Sequence, residues 1–337
     1  MLKEVKNMND SYITTFFHWI SVAVALVLIA AGLYLFLHYI VRWHQKQALG
    51  LALVSPWIIG FAVFTAGPLV YSLYLSFTQY SLFGNPKWVG LQNYINLFTH
   101  DPQFWPSVKL TMLYALITVP IGVVGSLLIA ILMNQKVRGI GIFRVIFYLP
   151  AVLPDVAVAL IWRWLFNGHG LFNYLLSPFM HIMHVSNIDW FGKAQYVLPA
   201  FSIMSIWGIF GANAVIFLAA LQEVSKSYYE VADLDGATKF QKLWFITIPL
   251  ISPIILLQII QGIIGALQIF SVAMFVRPTT SAGEFMNQLI YERGFTQMHM
   301  GEASSIAWFL FAIILIFTLL IFKSSTAWVY YESNIKR

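Results

Sequence analysis

The chain has 337 residues, of which 60% are hydrophobic and only 9% charged, with a formal net charge of +6 and a mean hydropathy of +0.77. A soluble domain carries about a quarter charged residues, so a soluble enzyme, a disordered scaffold and a nucleic-acid-binding domain are all excluded. No basic run is long enough for a DNA-binding face, and the absence of cysteine excludes disulfides and thiolate metal sites.

A helix crosses the hydrocarbon layer with about 20 apolar residues. Seven stretches qualify, at about 17–41, 50–78, 108–134, 143–166, 196–222, 246–276 and 303–330. The first is apolar nearly throughout from Phe16 to Ile40. It exceeds the roughly 7–15 residues of a signal-peptide core and is expected to be a retained anchor. The compact turns Arg42-Trp43-His44-Gln45-Lys46 and Lys136-Val137-Arg138 are basic and hold no acid. The positive-inside rule places them in the cytoplasm, with the N-terminus outside and the C-terminus cytoplasmic.

The loops on the opposite side, at about 79–107, 167–195 and 277–302, carry turn signals such as Gly84-Asn85-Pro86 and Asn167-Gly168. Trp88, Trp105, Trp162, Trp164 and Trp190 lie near span ends. They are expected to form an interfacial aromatic belt, with stacking on a sugar as the alternative. Arg163 is expected to snorkel to the interface, and Asp155 to sit at a span boundary. His181 and His184 have a loose metal spacing but no third ligand nearby, so no metal site is expected. The acids Asp101, Asp189, Glu284, Glu292 and Glu302 are dispersed and form no catalytic motif.

The basic-side loop from Glu223 to Pro249 is the most structured stretch. Ser227 and Glu230 are spaced as a capping box, predicting a short helix from about Tyr228 to Asp235. Gly236 falls where a left-handed residue ends a helix. Thr238 and Gln241 form a second box, and Pro249 and Pro253 are expected to interrupt the helix that follows. Two later spans carry polar residues on one face at 100° per residue. These are Gln258, Gln261, Gly265 and Gln268 on one, and Ser202, Ser205 and Asn213 on the other. Polar side chains in hydrocarbon are costly and mark a route, or else bond across helices as packing glue. Without mid-span charge, such a route suits a neutral polyol better than an ion.

Glu230-Val231-Ala232, three residues, Gly236, nine residues, then Ile246-Thr247-Ile248-Pro249 resembles the EAA loop of ATP-binding-cassette (ABC) importer permeases. Val231 and Ile248 depart from that pattern but stay apolar. Gly67-Pro68-Leu69-Val70-Tyr71-Ser72, Trp88-Val89-Gly90-Leu91-Gln92-Asn93-Tyr94, Leu149-Pro150-Ala151-Val152-Leu153-Pro154 and Phe217-Leu218-Ala219-Ala220-Leu221-Gln222 extend the resemblance over about 48–330. Together they look like the first-named permease half of maltose-type and glycerol-3-phosphate-type importers.

The resemblance implies an all-α polytopic bundle: a six-helix type I importer core over 48–337, with an extra N-terminal transmembrane helix over 1–47. It implies a bacterial cytoplasmic-membrane protein that is not an enzyme. The expected partners are a second permease subunit, an ABC ATPase dimer holding ATP and magnesium, an extracellular solute-binding protein and a carbohydrate substrate, with no nucleic acid. Glu230, Ala232, Asp235, Gly236, Ala237 and Pro249 would couple to the ATPase. Gln258, Gln261, Gln268, Asn213 and Ser205 are the candidate substrate path. The chain has no Gly-x-x-x-x-Gly-Lys-Ser/Thr phosphate loop. An ion-gradient-driven secondary transporter and a polytopic membrane glycosyltransferase are the alternative classes. The first needs intramembrane acids or discontinuous helices in paired halves, and the second a clustered acid/base or metal constellation.

Overall fold

The computed structural model describes residues 20, 21, 24, 27–40, 42, 44–135, 138–182, 187–276 and 283–331. The chain divides into two units, Met1–Tyr74 and Leu75–Arg337. This division by packing differs from the family boundary expected at 47/48. In the first unit, residues 27–35 are helical and run into a π turn at Phe36–Ile40. Residues 17–19, 22, 23, 25, 26 and 41 of the predicted first span lie outside the described residues, as do Lys3, Lys6, Trp43, Lys136, His184, Arg277, Lys336 and Arg337. Helix α1 (Gln45–Phe61), a π turn (Ala62–Ala66) and α2 (Gly67–Ser76) form one apolar run of 32 residues.

The second unit begins with a two-stranded antiparallel ribbon, β1 (Thr78–Gln79) and β2 (Lys87–Trp88), and a short helix α3 (Gln92–Thr99). The Asn93 amide fastens the two, donating to the carbonyls of Ser76 and Thr78 at 2.9 Å each. Then come α4 (Phe104–Met133), α5 (Ile140–Val152), α6 (Asp155–Leu165), α7 (Leu171–Ile182) and α8 (Ala194–Glu223). They are followed by α9 (Lys226–Leu234), α10 (Lys239–Lys242), α11 (Ile248–Leu267), α12 (Ser271–Val276), α13 (Met286–Tyr291) and α14 (Met300–Ser325). Among the described residues, five helical runs are long and apolar enough to cross a membrane, and α5 with α6, if one span, makes a sixth bent by 100°.

That bend corrects the single span expected at 143–166. Pro154 has no amide hydrogen and pushes the preceding residue out of the helical region. Leu153 (φ −74°, ψ 136°) and Pro154 (φ −60°, ψ 141°) are both extended.

Helices α4, α8 and α11 form the centre. Helices α4 and α8 run parallel, with Tyr114 beside Ser205 and Gly122 and Gly125 facing Ile209 and Phe210. Within a bilayer the drive is close packing rather than the hydrophobic effect, so glycine opposite a bulky side chain lets the backbones approach. Three buried hydroxyls on α4 bond one turn back: Thr111 donates to the Ser107 carbonyl at 2.8 Å, Thr118 to Tyr114 at 2.7 Å and Ser126 to Gly122 at 2.6 Å.

The tightest contact is between α8 and α5, where a Cβ on Gly211 would overlap the carbonyl oxygen of Phe147. Backbone cannot yield as a flexible side chain can. Gly211→Ala is therefore expected to destabilise the purified protein by about 1–3 kcal/mol, the range for overpacking, measured as a lower midpoint of thermal unfolding in detergent.

Trp162 and Trp190 correct the belt expectation. Both are only 6% exposed and pack with Phe166 and Phe172. The Trp190 indole donates to Asn173 Oδ1 at 3.2 Å, and Asn173 Nδ2 donates to the Ile188 carbonyl at 2.8 Å. These two rings hold α6, α7 and the 187–192 loop together and are available neither to lipid headgroups nor to a sugar. Trp88, Trp105 and Trp164 are exposed.

An ion pair secures the turn after α13. Arg293 donates to Asp101 Oδ2 at 2.9 Å and to Gln103 Oε1 at 3.1 Å from one nitrogen, and to Gln297 Oε1 at 3.0 Å from another. The Arg293 and Asp101 side chains are 17% and 11% exposed.

Candidate functional sites: a braced helical loop and an uncharged cavity

The loop between α8 and α11 is helix, glycine turn, helix. Its first cap differs from the expected one. Ser225, with extended backbone, accepts from the Ser227 amide at 3.4 Å, and α9 begins at Lys226. The chain leaves α8 extended at Val224 (φ −65°, ψ 122°), which sets the start two residues early. Glu230 consequently makes no capping box; its side chain is exposed, with no hydrogen-bond or ion-pair partner among the described residues.

The end of α9 is as expected. Gly236 has φ +74°. Its amide donates to the Asp233 carbonyl at 3.1 Å, and the Ala237 amide reaches back to Ala232 at 2.9 Å. These two bonds are the Schellman pattern, and they place Ala232 and Ala237 together at the stop. The Asp235 carboxylate is exposed just before it. Thr238 and Gln241 form the predicted box: the Thr238 amide donates to Gln241 Oε1 at 2.8 Å and the Gln241 amide to Thr238 Oγ1 at 3.3 Å.

Pro249 and Pro253 do not interrupt the following helix, contrary to expectation. The run from Lys239 to Val276 is continuous enough to count as one span. A π turn at Leu243–Thr247, closed by the Ile248 amide on the Leu243 carbonyl, delivers Pro249 to the first turn of α11. There the missing amide hydrogen costs little. Pro253 leaves the Pro249 carbonyl without its usual donor, and the Ser252 hydroxyl supplies one at 2.6 Å. Ser252 Oγ also accepts from the Tyr330 amide at 2.9 Å.

The loop is braced at its root and bare at its tip. Lys242 pairs with Asp233, and the Tyr229 hydroxyl meets Thr247 Oγ1 at 2.9 Å. Helix α9 itself buries no residue, and Val231 and Leu234 are exposed, Leu234 by 88%.

The second site is a cavity of about 390 Å³ between α4, α8 and α11. Ser205, Asn213, Gln258 and Gln261 all line it, whereas Ser202, on the same predicted face, is buried outside the lining. Gln258 is 1% exposed and donates to the Asn213 carbonyl at 3.4 Å, while Gln261 is exposed at the mouth. Gln268 does not line it. Helix α11 ends at Leu267, and the backbone carbonyl of Gln268 accepts from the Asn287 side-chain amide at 2.8 Å. Tyr114 and Thr118 of α4 complete the polar lining and were missed. Their four-residue spacing within an apolar run was the available signal. Tyr114 is hydrogen-bonded to Ser205. None of the lining residues is charged, so the cavity offers hydroxyl and amide partners to a neutral ligand.

Residues 110–331 match the family described as binding-protein-dependent transport system inner membrane component. The chain is 39% identical over 291 residues to the probable ABC transporter permease protein YesP of Bacillus subtilis, covering 85% of this chain and 93% of that one. It is 27% identical to the trehalose/maltose transport system permease protein MalF of Thermococcus litoralis, covering 83% and 94%. In fold it is similar to a chain of a bacterial ABC transporter involved in the import of the acidic polysaccharide alginate, with a TM-score of 0.73, 23% identity, and coverage of 84% and 96%.

Proposed function

Since the chain belongs to the binding-protein-dependent transport system inner membrane component family, we propose that it is one permease subunit of a bacterial importer for a neutral sugar or oligosaccharide. It pairs with a second permease, rests on two ATPase subunits that bind ATP and magnesium, and receives substrate from a solute-binding protein. It is a multi-pass inner-membrane protein, with loop 223–249 and the C-terminus in the cytoplasm. Residues 48–337 form the permease fold and 1–47 an added anchor.

The observation that carries this reading is the braced loop. A helix fixed at its root, stopped by Gly236 and bare at Leu234 is built to enter a cleft in another protein and to move with it. Ala232 and Ala237 permit close approach, Glu230 and Asp235 present charge, and Pro249 starts the membrane helix that receives the motion. Relatives named for trehalose/maltose and arabinooligosaccharide transport support a sugar substrate, and the uncharged cavity supports a neutral one. Reconstituted uptake is expected to require ATP and the partner subunits and to stop with vanadate. Vanadate-insensitive uptake by this chain alone, driven by an ion gradient, overturns the reading.

In the cavity, Gln261→Leu removes an amide at the mouth without adding volume. Half-saturation for uptake is expected to rise about 3- to 10-fold, the worth of one hydrogen bond, checked by initial rates across substrate concentration.

A further inference from the structure

Helix α9 transmits motion only if its root cannot swivel on α11. Two side chains of α9, Tyr229 and Asp233, are four residues apart and so share one face. They meet Thr247 and Lys242, which are five residues apart. On a regular α-helix a five-residue spacing separates side chains by about 140°, so the two could not both face α9. The π turn at Leu243–Thr247 removes the mismatch, because its ring closes at i to i+5. The same turn lets the helix run on into Pro249.

Thr247 is buried, and its hydroxyl donates to the Lys242 carbonyl at 3.3 Å. Thr247 Oγ1 thus lies between the Lys242 carbonyl and the Tyr229 hydroxyl. Lys242 is held twice, by its carbonyl and by its ammonium group.

We infer that Tyr229 and Thr247, with the Asp233–Lys242 pair, are positioning residues that lock α9 to the π turn of α11, so that both move as one body. This rests on the coupling role proposed above for the loop.

The chain has no cysteine of its own, so with partner subunits freed of cysteine, spin labels go to two sites only, Lys226→Cys on α9 and Leu257→Cys on α11, both exposed. The experiment uses the assembled complex with its partner subunits, nucleotide-free and after trapping with ATP, magnesium and vanadate. With the joint intact, the distance distribution is narrow and keeps its centre in both states. Tyr229→Phe and Thr247→Val are each expected to broaden it about two-fold, the double variant no further than either single one, and Thr247→Ser to keep it narrow. Wild-type widths in both single variants, or an additive double variant, overturn the inference. In parallel, Leu234→Cys is expected to cross-link to an ATPase subunit. Failure of that cross-link overturns the coupling role and this inference with it, whereas a good cross-link with unchanged widths overturns this inference alone.

Discussion

Gly236→Pro is expected to lower substrate uptake by on the order of 100-fold, the loss that a displacement of about 1 Å away from the working centre can produce. The complex is expected still to insert and assemble. The residue sits at φ +74° and donates its amide to the Asp233 carbonyl. Proline fixes φ near −65° and has no amide hydrogen, so both halves of the helix stop are lost. A Cβ at this position meets nothing within 4 Å, which separates conformation from crowding. Gly236→Ala is accordingly expected to cost only the left-handed penalty of about 1–2 kcal/mol and to retain part of the uptake. The measurement is uptake against ATP hydrolysed in proteoliposomes, with subunit stoichiometry checked by co-purification. Undiminished uptake by the proline variant at normal stoichiometry refutes the lever.

The second large effect is on stability. Asp101→Ala leaves Arg293 as a mostly buried cation with only the Gln103 and Gln297 side-chain oxygens for partners. Removing one member of a buried pair costs about 3–5 kcal/mol, while replacing both by apolar groups is often neutral. At about 2–4 °C per kcal/mol for a unit of this size, the single variant is expected to unfold at least about 6 °C lower. The double variant Asp101→Ala/Arg293→Met is expected to recover most of that. Equal melting of the single variant and wild type in detergent argues against a structural role for the pair.

What the residues disclosed by themselves was local. Gly236 and the Thr238–Gln241 box are decided within a few positions of chain, so spacing alone located them. Gln258, Gln261, Ser205 and Asn213 were placed by helical phase, but Ser202 shares that phase within α8 and misses the cavity, because phase fixes a direction and not a height along the helix. Gln268 shows the limit, because one residue past Leu267 the phase has no meaning. The cap at Ser225 depended on how α8 ends, and Ser225 and Ser227 are chemically alike. The bend at Pro154 is invisible to a hydropathy window that stays apolar on both sides. Trp162 and Trp190 were misplaced because amphipathic rings suit an interface as well as an aromatic core, and only tertiary packing chooses between them. Tyr114 and Thr118 were overlooked because α4 carries hydroxyls at several phases, Ser107, Thr111 and Ser126 among them, and only packing shows which face the cavity.

The hydroxyl of Ser252 covers the carbonyl that Pro253 leaves bare, and it also receives the amide of Tyr330, 78 positions later. Tyr330 follows α14, the last of the described helices. The first turns of α11 are thus buttoned down only once the chain through α14 has been made.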